Sequence, residues 1–86
     1  MLIRSQDRTK LVDIAGKTIS IDHANAIGIT YANSNVLLGK YTSKEKAMKV
    51  LDMIQETYQQ EKTEIIYREG IYNIGTFQMP EDSEVV

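Results

Sequence analysis

Between Tyr41 and Gln60 the apolar residues Ala47, Val50, Leu51, Ile54 and Tyr58 recur at the helical period, while Lys46, Lys49, Asp52, Glu56 and Gln60 fall on the other side. At about 100° per residue this spacing makes one apolar stripe along an amphipathic helix. Thr42 followed by Glu45 has the spacing of a capping box: the hydroxyl accepts from the Glu45 N–H and the carboxylate reaches back to the Thr42 N–H. A single stripe needs a surface to cover. The segments around it are short and strand-like, so the helix must lie on a small sheet, and that requirement governs the rest of the reading.

Met1–Arg4 and Thr9–Ile14 read as strands, the second with Val12 and Ile14 on one side and Leu11 beside Val12 on the other. Thr18–Asp22 alternates with Ile19 and Ile21 on one face, and Ala26–Tyr31 places Ile27, Ile29 and Tyr31 together. Ser5-Gln6-Asp7 is a polar turn. Ala15-Gly16-Lys17 is a tight connection in which Gly16 is available for a positive φ. Gly28, in mid-strand, marks a bulge or a close backbone approach. Asn33-Ser34-Asn35 is the expected hairpin loop, because Asn tolerates the left-handed conformation, and Val36–Tyr41 returns into the helix. Connections this short predict antiparallel pairing.

The helix is expected to end between Gln60 and Ile66, the competing reading being a strand at Glu64–Tyr67 with a turn at Arg68–Gly70. Ile71–Met79 is the final strand, at an edge or leaving the sheet at Pro80, which cannot donate to a ladder. The expected fold is α+β: a small, mainly antiparallel curved sheet of five or six short strands in a meander, one amphipathic helix packed on it, and a strand after the helix. Residues 1–80 form a single domain and residues 81–86 a flexible acidic tail.

Composition narrows the function classes. Without cysteine there is neither a disulfide nor a thiolate zinc site. Met-Leu-Ile-Arg runs straight into polar residues, so no signal-peptide core is expected, and no apolar run approaches membrane-spanning length. The expected location is the cytoplasm. The net charge of −2 hides an asymmetry, +4 over residues 1–50 and −6 over residues 51–86. That division suits a bipolar surface able to associate head to tail or to present a basic patch.

Ile3-Arg4-Ser5-Gln6-Asp7 at the start, Leu38-Gly39-Lys40-Tyr41-Thr42-Ser43 at the helix entry and Phe77-Gln78-Met79-Pro80 near the end resemble a group of small proteins of Gram-positive bacteria and their phages or mobile elements. The segment between Gln59 and Ile74 is longer than that group's pattern. The resemblance supports the domain plan and implies no activity, since the group has no known one.

The residues able to carry chemistry are isolated. Gly16-Lys17-Thr18 imitates the end of a P-loop, but Leu11 stands where the motif needs its first glycine, and a strand rather than a helix follows. His23, the one histidine, lies beside Asp22, and neighbouring strand residues point to opposite faces. A general acid/base role competes with that of a polar strand end. Ser5 has no base partner in sequence, and Asp7 suits turn hydrogen bonding. Lys40, Lys44, Lys46 and Lys49 gather near the helix start, where phosphate contact competes with a solvated face carrying a Glu45–Lys49 pair. Met53 lies opposite the stripe, a place for a second helix to pack. These five residues are the candidate interaction surface. Glu84-Val85-Val86 could end in a partner's groove.

No catalytic constellation, metal set or cofactor motif emerges, and an enzyme is not expected. The leading expectation is a non-catalytic binding or assembly module: one helix cannot cover both faces of a sheet whose neighbouring Leu11–Val12 and Leu37–Leu38 pairs place apolar groups on each, so the second set either meets another subunit or closes on itself by curling the sheet into a partial barrel, with Gly28 and Gly39 able to relieve the bending. The alternative is a nucleic-acid-associated accessory protein using the basic first half, against which the acidic whole and the scarcity of arginine weigh.

Overall fold

The computed structural model describes the backbone of residues 1–67 and 75–86 and the side chains of residues 1–60 and 75–86. It is α+β. The strands are β1 (Leu2–Arg4), β2 (Leu11–Asp13), β3 (Thr18–Ile21), β4 (Ala26–Tyr31) and β5 (Ser34–Lys40). Helix α1 (Lys44–Tyr67) follows, then β6 (Thr76–Gln78) and a turn of 3-10 helix at Asp82–Glu84.

The strands form two three-stranded sheets rather than one. In the first, β1 is central: antiparallel to β2, with Ile3 opposite Val12, and parallel to β6, with Ile3 opposite Phe77. The second is the antiparallel meander β3-β4-β5, with Ile19 opposite Ile29 and Ile21 opposite Ile27. Short connections dictate direction only for strands adjacent in sequence. β1 and β6 come from opposite ends of the chain, which frees that pair to be parallel.

Alternation holds where it was clean. Ile27 and Ile29 are buried, and Ile19, Ile21, Val12 and Phe77 pack half-buried against the core. Tyr31, expected with them, is 63% exposed at the strand end. The adjacent pairs split as expected: Leu38 is buried and Leu37 faces out, Val12 is half-buried and Leu11 faces out. Gly28 serves both anticipated purposes. Ile27 opposes Gly39 while Gly28 opposes Leu37, so Leu38 is the extra residue of a bulge. A Cβ on Gly28 would stand 3.0 Å from the Val36 carbonyl oxygen.

The hairpin loop lies earlier than Asn33-Ser34-Asn35. Tyr31 opposes Ser34, leaving Ala32-Asn33 as a two-residue loop, with Ala32 at φ +53°. Such short loops need left-handed residues to follow the strand twist. Here the tertiary register chose the alanine over its asparagine neighbour, and Thr30 Oγ1 donates to Asn35 Oδ1 at 3.1 Å below the loop.

The helix cap also shifts by one residue. Ser43 Oγ accepts from the Lys46 N–H at 3.1 Å and the Ser43 carbonyl from the Ala47 N–H at 3.2 Å, making Ser43 the N-cap instead of Thr42. The helix runs through Tyr67, just past the expected window, in place of a strand at Glu64–Tyr67. The turn expected at 68–70 and the start of the expected final strand at 71–74 lie outside the described residues.

On the described part of α1, Ala47, Val50 and Ile54 are buried, Leu51 is half-buried and Tyr58 is 38% exposed. The stripe is real, but its centre runs along 47, 50 and 54 instead of through Leu51. It closes on Ile3, Ile27, Ile29, Leu38, Tyr41 and Met79. Val85 joins the same core, so residues 81–86, expected to form a flexible tail, are docked on the molecule. The charge count of that segment obscured one apolar residue able to anchor it.

Candidate functional site

At the N-terminal corner the dense polar group Arg4–Asp7 proves to be architecture. Ser5 is 1% exposed; its hydroxyl donates to Asp7 Oδ1 at 2.6 Å and accepts from the Lys10 N–H at 3.0 Å. Asp7 Oδ1 also accepts from the Thr9 N–H at 3.0 Å and the Thr9 hydroxyl at 2.7 Å. The Ser5 hydroxyl and these Thr9 donors hold the Asp7 carboxyl well below the usual carboxylate range. Gln6 staples three segments together. Its amide accepts from the Lys40 N–H at 3.0 Å and donates to the Lys40 carbonyl at 3.1 Å and the Pro80 carbonyl at 3.2 Å.

The β3–β4 turn uses Asp22 in a similar way. Its carboxylate accepts from the Ala24 N–H at 2.8 Å and the Ala26 N–H at 3.1 Å, and the Ala26 and then the Ala24 bond lower its pKa. His23 is exposed beside it, and the carboxylate's bonds go to the turn backbone rather than to the ring. Gly16 has φ +69° at the β2–β3 connection, and Thr18 opens a strand, so the P-loop imitation has neither its loop nor its helix.

Lys46, Lys49 and Met53 lie three and four positions apart on one side of the helix, and Lys44 points elsewhere. Lys46 Nζ pairs with Asp82 at 3.3 Å and donates to the Asp82 carbonyl at 3.1 Å; Lys49 Nζ donates to the Val86 carbonyl. Lys44 and Lys40 are exposed, with the Lys40 backbone bracketed by Gln6. Met53 is 41% exposed. The Asp82 carboxylate also accepts from the Thr42 N–H at 2.8 Å and the Thr42 hydroxyl at 3.1 Å. The Thr42 N–H contributes most to lowering the Asp82 pKa. The chain's own carboxylate therefore pairs Lys46 and ties down Thr42, the residue just before the N-cap. Asp82 was not among the residues singled out from the sequence; an acidic end facing a basic helix start was the signal for it.

A second opening lies between edge strand β3 and the middle of α1. It is a groove of about 390 Å³ lined by Ile14, Ile19, Leu51, Ile54 and Tyr58 together with Lys17 and Gln55. Lys17 Nζ donates to the Asp13 carbonyl and stands 5.3 Å from the centre of the Tyr31 ring. A smaller groove of about 300 Å³ runs over Gly28 on the second sheet, beside Leu37. Among the described residues no group of three or more His, Asp or Glu side chains could hold a metal ion, and no described helix is long and apolar enough to cross a membrane.

The chain matches no known protein-family model, no curated protein and no solved structure. Its class is set by its own geometry: a small α+β domain in which Ser5, Gln6, Asp7, Asp22 and Asp82 hold turns and splices, with a groove beside an edge strand.

Proposed function

We propose that this protein is a small non-catalytic binding module whose first partner is a second copy of itself. One observation carries the reading: the groove between β3 and α1 has Ile14, Ile19, Leu51 and Ile54 in its lining and lies beside an edge strand. Edge strands present unpaired backbone groups that another chain can satisfy, and apolar side chains beside one add burial to those bonds. The engagement of Ser5, Gln6, Asp7 and Asp22 in holding turns supports the same reading. The cytoplasm is the location that goes with it.

Concentration-dependent chemical shifts test the surface. Amides of Ile14, Ile19, Leu51 and Gln55 should move as the protein is concentrated, while those of Lys44 and Met53 stay fixed. Shifts confined to other residues would sink the groove as the contact. Nucleic-acid association is the second reading, favoured by the +4 charge of residues 1–50. The occupation of Lys46 and Lys49 by the C-terminal segment weighs against it. Binding should be no tighter than about 10⁻⁴ M at physiological salt. A sub-micromolar, salt-sensitive titration would reverse the order of the two readings.

A further inference from the structure

The segment after Pro80 is held by two kinds of contact. The Pro80 carbonyl accepts from the Tyr41 hydroxyl at 2.8 Å and from Gln6 Nε2 at 3.2 Å, which fixes where the segment begins. The β1–β6 register stops at Gln78, and the last bond between these segments runs from the Met79 N–H to the Arg4 carbonyl at 3.0 Å. Beyond Pro80 the chain closes on itself. The Glu84 N–H donates to the Glu81 carbonyl at 3.0 Å, the Glu81 N–H to Glu84 Oε1 at 2.9 Å, and the Val85 N–H to the Asp82 carbonyl at 3.2 Å. Its ties to the helix side are Asp82 to Thr42 and Lys46, and Val86 to Lys49. One apolar plug, Val85 at 6% exposure, enters the core, while Val86 is 96% exposed.

We propose that Glu81–Val86 is a detachable strap, opening as one unit about Pro80 while the sheets and helix stay folded. The Lys46–Asp82 pair is about one-third exposed on both sides and is open to screening by salt. The bonds inside the segment close one short turn that does not hold without the surface beneath it, so they break together with the ties to Thr42, Lys46 and Lys49. Local openings of this kind lie below the global stability when few buried contacts are lost. In the closed form Asp82 and Val86 engage Thr42, Lys46 and Lys49, and Val85 fills a slot in the core. In the open form Lys46 and Lys49 lose these partners, the Val85 slot is bared and the Asp82 carboxylate is released. The strap is thus an internal competitor for whatever acidic segment the helix start would accept.

Native-state hydrogen exchange of the full chain across a urea series tests this. The amides of Thr42, Glu84 and Val85 should share one protection level, about tenfold or more below that of β4, nearly independent of urea. Asp82→Asn, which keeps the shape and removes the charge, should lower all three together by about two- to tenfold, as should added salt in the wild type. Two results would overturn the strap. One is protection and urea dependence equal to those of β4. The other is a loss confined to Thr42 in Asp82→Asn, which would make Asp82 a local hydrogen-bond partner and no more.

Discussion

Gln6 ties the ends of the chain to its middle. It follows β1, and its side chain satisfies both backbone groups of Lys40 and shares the Pro80 carbonyl with Tyr41. Gln6→Ala leaves partly covered backbone groups without their partner and is expected to destabilise by about 1–3 kcal/mol, read from urea midpoints. A cost near zero would mean water replaces the amide at no loss. Tyr41 is held protonated: burial first, then the acids Glu81, Asp82 and Glu84, push its pKa up to about 12. A folded pKa raised above the unfolded value of about 10 gives stability that is complete below about pH 10 and lost as pH rises toward 12. Alkaline unfolding should therefore steepen over that window in the wild type and less so in Tyr41→Phe. Asp7 has the opposite sign. Its lowered pKa contributes above the ordinary carboxylate range and is lost only as acid protonates it, when the buried Ser5 hydroxyl loses its acceptor.

At the scale of elements, the helix face sets the order of mutational costs. Val50→Ala should cost about 1.5–3 kcal/mol, because Val50 is fully buried, and Leu51→Ala less than that, because Leu51 borders the open groove. Met53→Ala should stay under about 0.5 kcal/mol. Denaturant midpoints placing Leu51 above Val50 would return the stripe's centre to Leu51. Gly28→Ala should destabilise by about 1–3 kcal/mol, since the added Cβ meets backbone oxygen that no side-chain rotation can move. These elements were legible because their signals are local: alternation in β3 and β4, helical period in α1, a glycine inside a strand. The shifts of one residue, Ser43 for Thr42 at the cap and Ala32 in the hairpin loop, arose where adjacent residues were nearly equivalent locally and tertiary partners decided between them. Asp82 claimed Thr42, and the β4–β5 register fixed the loop. The parallel β1–β6 pair and the docking of Val85 depend on contacts across almost the whole chain, for which a local pattern carries no signal.

At the scale of the whole molecule, segments from the start and the end of the sequence close the fold together. β1 and β6 pair, Gln6 and Tyr41 hold Pro80, and Val85 enters the core. At the start of α1, Lys46 is paired with the chain's own Asp82 and Lys49 bonds the Val86 carbonyl, while the groove beside β3 is lined by Ile14, Ile19, Leu51 and Ile54. On the proposed reading, that contrast favours the groove over the lysines as the surface for self-association. Light scattering on a size-exclusion peak, followed across dilution, measures this directly for the wild type, Leu51→Lys in the groove and Leu37→Lys on the outward sheet face. The expected result is a wild-type mass above one chain that falls on dilution, the same behaviour for Leu37→Lys, and a one-chain mass for folded Leu51→Lys. A wild-type mass of one chain at every concentration, or assembly abolished by Leu37→Lys alone, would contradict it.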